Sequence, residues 1–323
     1  MTTSYFIWPE SSALRALVSA PRFISVAIVE KQLKSMFPSG HPVLCSSGRS
    51  ALTLALIVSE VTRGDLIGVF PYASHCVLDA VSRIATPLSG STATSASIRV
   101  IYHQWGFVQE KNLPPNTIED CVDTLCLPGT ALFPGGGRFE IWSLPKILGT
   151  SSGGVLWCRD EETAEAVRNI RDYRGGGLFP WLIRLLSRRF PSAHLYWQGA
   201  EASMGKVSRF QTGEIFAAVL NWENFVSDRQ KKINMTWPYS INWLQKPADR
   251  LPPVVPVSIE LPERIVKDLG ISSGYRMFER INHSGSRNLE KVLPIPIHQD
   301  VPATWLNNLI LKLKDYGASV VSG

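Results

Sequence analysis

Lys146 stands where an amine could do chemistry. It lies in Trp142-Ser143-Leu144-Pro145-Lys146-Ile147-Leu148-Gly149, ahead of Ser151-Ser152-Gly153-Gly154 and the apolar run Val155-Leu156-Trp157. A lysine on a short Gly/Ser-rich loop leading into a buried strand is a poor solvated surface charge. It suits an amine in a partly dry pocket, where desolvation disfavours the ammonium and frees a nucleophile. Two clusters precede it. Ile118-Glu119-Asp120 closes a short strand-like segment on an acidic pair, and Cys45-Ser46-Ser47-Gly48-Arg49-Ser50 opens an apolar helix. Backbone N–H groups at that helix start would face outward at the positive end of its dipole, and Gly48 lets a phosphate come close. Taken singly, Ser-Ser-Gly before a helix is an ordinary N-cap, and a strand-end Asp is an ordinary turn cap.

A phosphate cup, a carboxylate and a lysine, in that order, are what a pyridoxal phosphate (PLP) site needs. The series Ser47-Gly48-Arg49-Ser50-Ala51-Leu52, Pro71-Tyr72-Ala73-Ser74-His75, Glu119-Asp120-Cys121-Val122-Asp123 and Lys146 with Gly149 and Gly153-Gly154 resembles the signature of the DegT/DnrJ/EryC1/StrS sugar aminotransferases, a group of fold-type I PLP enzymes. The resemblance runs from about residue 40 to 160. It returns at Leu293-Pro294-Ile295-Pro296-Ile297-His298-Gln299-Asp300, before an amphipathic terminal helix.

The resemblance implies a role for each residue. Lys146 would hold PLP as an internal aldimine and move the proton between Cα and the cofactor. Asp120 would pair with the pyridine nitrogen, keeping the ring cationic so that it accepts electrons from Cα. Ser47, Gly48 and Arg49 would seat the phosphate, although Arg49 replaces a small hydroxyl residue. His75 falls where an aromatic stacks on the ring. Ile141 occupies the place of a phosphate-binding serine, with Ser143 an out-of-register substitute. Arg209, in Arg209-Phe210-Gln211, aligns loosely with a stretch that reaches the partner subunit's phosphate, which implies a homodimer. Asp123 replaces a Gln or His near the phenolic oxygen. An anion is repelled there, so Asp123 points away, is protonated, or contacts another group. The implied substrates are an amino donor and a keto sugar, and a basic chain, which draws anions, suits a nucleotide-linked one. Arg49 and Asp123 leave open a different PLP reaction, by a lyase, a dehydratase or another transferase. A non-catalytic binding protein is a third reading, against which the retention of Asp120 and Lys146 argues.

The elements that must position these residues follow from patterning. Helices are expected over 51–62, 77–84, 161–173 and 214–222, and strands over 66–70, 97–102, 117–120 and 155–158. Strands alternating with helices predict an α/β sheet covered on both faces. With the resemblance, this becomes a fold-type I PLP transferase with a large, mixed, mostly parallel sheet and a small C-terminal α+β domain. The 323 residues, 45% of them hydrophobic, are enough for one large core plus a smaller domain. The expected division is a PLP-binding domain over 1–225 and a small domain over 226–323. The latter holds a strand at 254–259 and helices at 262–269 and 302–316. The segment 178–190, with Arg184, Arg188 and Arg189, reads as an amphipathic helix that packs on the large domain or touches a membrane surface or partner.

Composition narrows the classes further. No apolar run reaches the roughly 18 residues of a membrane span, and the N-terminus lacks the pattern of a signal peptide. The five cysteines have no CxxC spacing, so no zinc site is expected, and reduced thiols suit a cytoplasmic protein. The net charge of +6 accompanies no nucleic-acid-binding motif and suits an anionic small-molecule substrate.

Overall fold

Seven short strands form one sheet in the computed structural model, which describes the chain apart from residues 1–2, 20–21, 91–95, 109, 175–181, 184–185, 187–189, 194–204, 282–286 and 317–323. The first strands are β1 (His41–Cys45), β2 (Leu66–Val69), β3 (Thr86–Leu88), β4 (Ile98–Tyr102) and β5 (Thr117–Asp120). A short β6 (Leu125–Cys126) stands outside the sheet, and β7 (Phe139–Ser143) and β8 (Gly154–Cys158) complete it. Their spatial order is β1-β8-β7-β5-β4-β2-β3. Only β8 runs against its neighbours; all other pairs are parallel. The sheet is therefore mixed and mostly parallel, as expected.

The helices of this part are α1 (Ala13–Ser19), α2 (Val26–Met36), α3 (Gly48–Val58), α4 (His75–Ser82), α5 (Leu144–Leu148), α6 (Glu161–Tyr173), α7 (Arg209–Leu220) and α8 (Trp222–Thr236). Parallel strands need crossovers; α3 carries the chain from β1 to β2 and α4 from β2 to β3. Both faces of the sheet are covered, so its strands read as nearly continuous apolar runs. Alternation along each strand still sorts the two cores. Val43, Ile141 and Leu156 join the cluster under α3, α4 and α6. Leu44, Trp142 and Trp157 join the opposite one, where Phe37 meets the rings of Trp142, Trp157 and Trp222 at 5.0, 5.7 and 5.5 Å.

The C-terminal part adds β9 (Arg250–Leu251), β10 (Val254–Val257), α9 (Glu263–Asp268), β11 (Arg276–Ile281), β12 (Arg287–Pro296) and α10 (Ala303–Asp315). A three-stranded antiparallel sheet runs β10-β12-β11, and β9 pairs with β6 of the N-terminal part. The start of the chain crosses over to this region. Tyr5 bridges Ile271, and Ile7 packs with Trp105, Ile241, Val254 and Phe278.

Several expectations shift. The helix expected at 51–62 starts at Gly48, and the one expected at 77–84 starts at His75. The single helix expected at 214–222 is two, α7 and α8, and the division expected between 225 and 226 falls inside α8. The segment 178–190 lies mostly outside the described residues. No helix among the described residues is long and apolar enough to cross a membrane.

Candidate active site

β1, β5 and β7 run parallel to one another in direction, so their carboxyl ends open on one side of the sheet, where α/β folds bind ligands. Asp120 ends β5, Ser143 ends β7, and α3 begins just after β1. A cavity of about 230 Å³ lies there, lined by Gly48, Arg49, Leu52, Ser74, Cys76, Val77, Asp120, Val122, Ile141, Ser143, Pro145 and Lys146. Residues distant in sequence thus converge as the cup–carboxylate–lysine order predicted.

The helix start is built for close approach. Ser47 is its N-cap, and its hydroxyl accepts from the Ser50 N–H at 3.1 Å. Gly154, opening β8, is pressed against it: a Cβ there would lie 2.3 Å from the Ser47 carbonyl carbon and 2.6 Å from the Gly48 nitrogen. Arg49 reaches across the cavity, its Nη2 donating to Cys76 Sγ at 2.8 Å.

Lys146 is not on a loop. It lies in the five-residue α5, which starts with Pro145 in its first turn and ends at Gly149 in the left-handed region, φ 70°. Pro at a helix start and Gly just past its end are ordinary helix boundaries. The Lys146 Nζ lies 3.1 Å from Asp123 Oδ1 and 4.2 Å from the centre of the Trp8 ring. Asp123 is fully buried, and its other oxygen accepts from the Tyr102 hydroxyl. Of the three fates open to Asp123, the structure realises contact with other groups.

The electrostatics correct one expectation. Burial pulls the Lys146 pKa down, but Asp123 and then Asp120 push it up and outweigh burial, so the amine is held above its ordinary range. Two carboxylates facing one amine favour its charged form, and desolvation alone does not free it. Asp120 is pushed up to about 7, chiefly by burial; Lys146 opposes the rise and Asp123 adds to it. Its Oδ1 accepts from the Val122 N–H at 3.2 Å.

Glu119, the other half of the acidic pair, points to the opposite side of β5. It accepts from the N–H groups of Gly135 and Gly137, each at 2.7 Å, and meets His103 Nε2 at 2.7 Å. Strand alternation thus gives Asp120 to the cavity and Glu119 to the core.

Four expected site residues do not line the cavity: Ser47, which caps α3, Asp123, which meets Lys146, and His75 and Arg209. His75 is exposed at the start of α4, with its Nε2 3.5 Å from Cys76 Sγ, and its neighbour Ser74 takes the lining position. Arg209 is exposed in the first turn of α7, over the rings of Phe23 and Phe210 at 5.3 Å each. Ser143 does line it, beside Ile141. Sequence reasoning missed Trp8, Tyr102 and Cys76. None carries a local signal; each is delivered by the fold.

The residues fit PLP. A helix start with an adjacent guanidinium suits a phosphate. Asp120 is a buried carboxyl whose ionisation burial suppresses, and a ring N–H⁺ beside it would offset that cost. Lys146 supplies the primary amine.

Comparison with known proteins agrees. A family model described as "Putative PLP-dependent aminotransferase" matches residues 29–313. No curated protein sequence matches the chain. Among solved structures, a DegT DnrJ EryC1 StrS aminotransferase from Brucella abortus superposes with a TM-score of 0.64 at 12% identity, covering 94% of this chain and 96% of that one. The sugar aminotransferase CalS13 from Micromonospora echinospora gives 0.64 at 14% identity, covering 96% and 99%. DesV from S. venezuelae gives 0.62 at 14% identity, covering 99% and 100%. At these identities the likeness is one of fold, and the fold is that of fold-type I PLP transferases.

Proposed function

The chain belongs to this family of PLP-dependent aminotransferases, and from that premise we propose that it transfers an amino group to a keto sugar, nucleotide-linked, with Lys146 as the working amine. The carrying observation is the seat of Lys146 Nζ, 3.1 Å from a buried carboxylate on a cavity that also opens on the α3 start.

PLP, when bound, supplies the electron sink for the pair released at the substrate Cα. The residues divide the remaining work. The α3 start, with Gly48 and Arg49, would hold the phosphate by backbone dipoles and charge. Ser143 adds a hydroxyl at the cavity wall. Asp120 would pair with the ring nitrogen and keep it protonated. Lys146 accepts and returns the Cα proton as general base and acid. Asp123 sets the pH at which that amine can accept a proton, and Tyr102 holds Asp123 in place. Trp8 covers the amine and limits water.

Support for a sugar substrate comes from the named relatives, one of them described as a sugar aminotransferase. Support for an anionic one comes from the net charge of +6, which raises the local concentration of anions. Lys146→Ala tests the central assignment. It should abolish the cofactor's visible absorbance and lower amino transfer by at least about 10²-fold. Borohydride treatment of the parent protein should leave the cofactor's mass on the peptide containing Lys146. A reducible cofactor label that persists in Lys146→Ala would overturn the assignment.

A further inference from the structure

α5 is one turn long, so almost all of its polar backbone groups need partners from outside the helix. Its closing bond runs from the Gly149 N–H to the Pro145 carbonyl at 3.1 Å. The carbonyl of Ile147, the residue next to Lys146, is met from behind by two side chains. Arg229 Nη2, from α8, donates to it at 3.2 Å, and Gln299 Nε2 donates to it at 3.3 Å. The same Arg229 Nη2 donates to Gln299 Oε1 at 3.0 Å, which closes a triangle. Arg229 Nη1 reaches the Leu251 carbonyl at 3.5 Å.

Arg229 is an expensive residue to keep there. Its side chain is 0% exposed. No carboxylate among the described residues lies within ion-pair distance of it, because the neighbouring Asp228 pairs with Lys232 at 2.6 Å. Burial pushes its guanidinium down to about 9. Asp228, Asp123 and Asp300 favour the charge only from a distance; a buried charge touched by carbonyls and an amide alone is costly, and an apolar side chain of similar volume often packs as well. What the apolar chain lacks is a planar fork of fixed geometry, with a positive charge at the negative end of α5.

We infer that Arg229, assisted by Gln299, is a positioning residue for Lys146: the fork pins the Ile147 carbonyl and so fixes the turn that holds Nζ against Asp123. The inference rests on the reading of Lys146 as the working amine only for its effect on turnover. The groups facing Nζ are the carboxylates of Asp123 and Asp120 and the Trp8 ring, with the Cys76 thiol further off.

The test compares Arg229→Lys, Arg229→Gln and Gln299→Leu in the full chain. Two measurements are made after the cofactor is stripped: hydrogen exchange of the 144–149 amides, and the pH dependence of Lys146 acetylation by mass spectrometry. Arg229→Lys keeps the charge and loses the fork. It should speed exchange at 144–149 by at least about tenfold while peptides from β4 and β8 stay unchanged. Lys146 should titrate lower, because the raising contact with Asp123 loosens. Arg229→Gln separates geometry from charge. Loss of a nearby cation by itself would move Lys146 up, whereas loss of positioning moves it down. Gln299→Leu should act in the same direction as Arg229→Lys, more weakly. With PLP restored, kcat of Arg229→Lys should fall by about 10–100-fold, with the donor KM within about threefold. Wild-type exchange at 144–149 and wild-type Lys146 titration in Arg229→Lys and Gln299→Leu would overturn the inference, whatever their Tm. If Arg229→Lys does not fold, Gln299→Leu alone decides. Should exchange and titration move while turnover does not, the positioning stands and the assigned role of Lys146 falls.

Discussion

Asp120 and Asp123 stand three positions apart, both buried, and the site asks different things of them. Asp123 already has cationic and hydroxyl partners in Lys146 and Tyr102. Asp120 has one backbone N–H and is pushed up to about 7, chiefly by burial. A carboxyl with a raised folded-state pKa costs stability where it must ionise: nothing below its unfolded value near 3.8, more as pH rises, and the full amount above about 7. Asp120→Asn in the cofactor-free chain should therefore gain stability above pH 7, on the order of 2–4 kcal/mol. The gain should vanish as pH falls toward 4, while PLP binding weakens. Urea unfolding across pH, beside cofactor titration, checks both. Asp123→Asn should move the rising limb of the pH–rate profile to lower pH, since Asp123 helps hold the Lys146 pKa up; an unmoved limb would take Asp123 out of the proton chemistry. At this scale the sequence was informative about which residues carry charge in the site. It was silent about who neutralises them. Trp8 and Arg229 reach Lys146 and its helix from positions 138 residues before and 83 residues after it in the chain.

Gly154 is where two elements touch too closely for any side chain. β8 passes the start of α3 with room for a hydrogen only. Gly154→Ala should push Ser47 and Gly48 out of place, lower stability by about 2–4 kcal/mol as overpacking does, and weaken PLP binding. Unfolding curves and cofactor titration measure the two effects separately. The elements near this contact were mostly legible, because buried parallel strands give continuous apolar runs and α6 carries acidic residues early and a basic one late. α5 was not, since Pro145 and Gly149 read as loop residues when only three residues separate them. The β11–β12 pairing was also missed. Arg276-Met277-Phe278-Glu279-Arg280-Ile281 interleaves charged and apolar residues without a clean alternation, and it becomes a strand by pairing with β12. Buried Glu140 looks like a surface charge until Arg250 meets it at 2.9 Å.

For the whole molecule, one group of exposed apolar residues lies in α1 and in the segment that follows it. Leu14, Leu17 and Val18 of α1 are 72%, 52% and 63% exposed, and Phe23 is 62% exposed beneath the guanidinium of Arg209. Exposed apolar side chains of this kind suit an interface between two copies of the chain, and one of them, Phe23, lies under the arginine expected to reach a partner's site. Leu17→Glu with Val18→Glu should convert a dimer to monomers in light scattering and cut activity severely, while far-UV circular dichroism stays unchanged. Parent protein that is monomeric and fully active at micromolar concentration would rule the dimer out.

The first ten residues have another consequence, for the order of assembly. Tyr5 pairs with Gly270 and Ser272, the Phe6 carbonyl lies 3.0 Å from His298 Nε2, and the Glu10 N–H donates to Asp300 at 2.8 Å. Between these anchors Trp8 lies over Lys146. A ribosome makes this strap well over 200 residues before its docking partners. The strap must therefore wait, undocked, until those partners emerge, and contacts of such sequence separation form slowly. Nascent chain halted before residue 298 would carry every strand of the large sheet and still lack two anchors of the strap that lays Trp8 over Lys146.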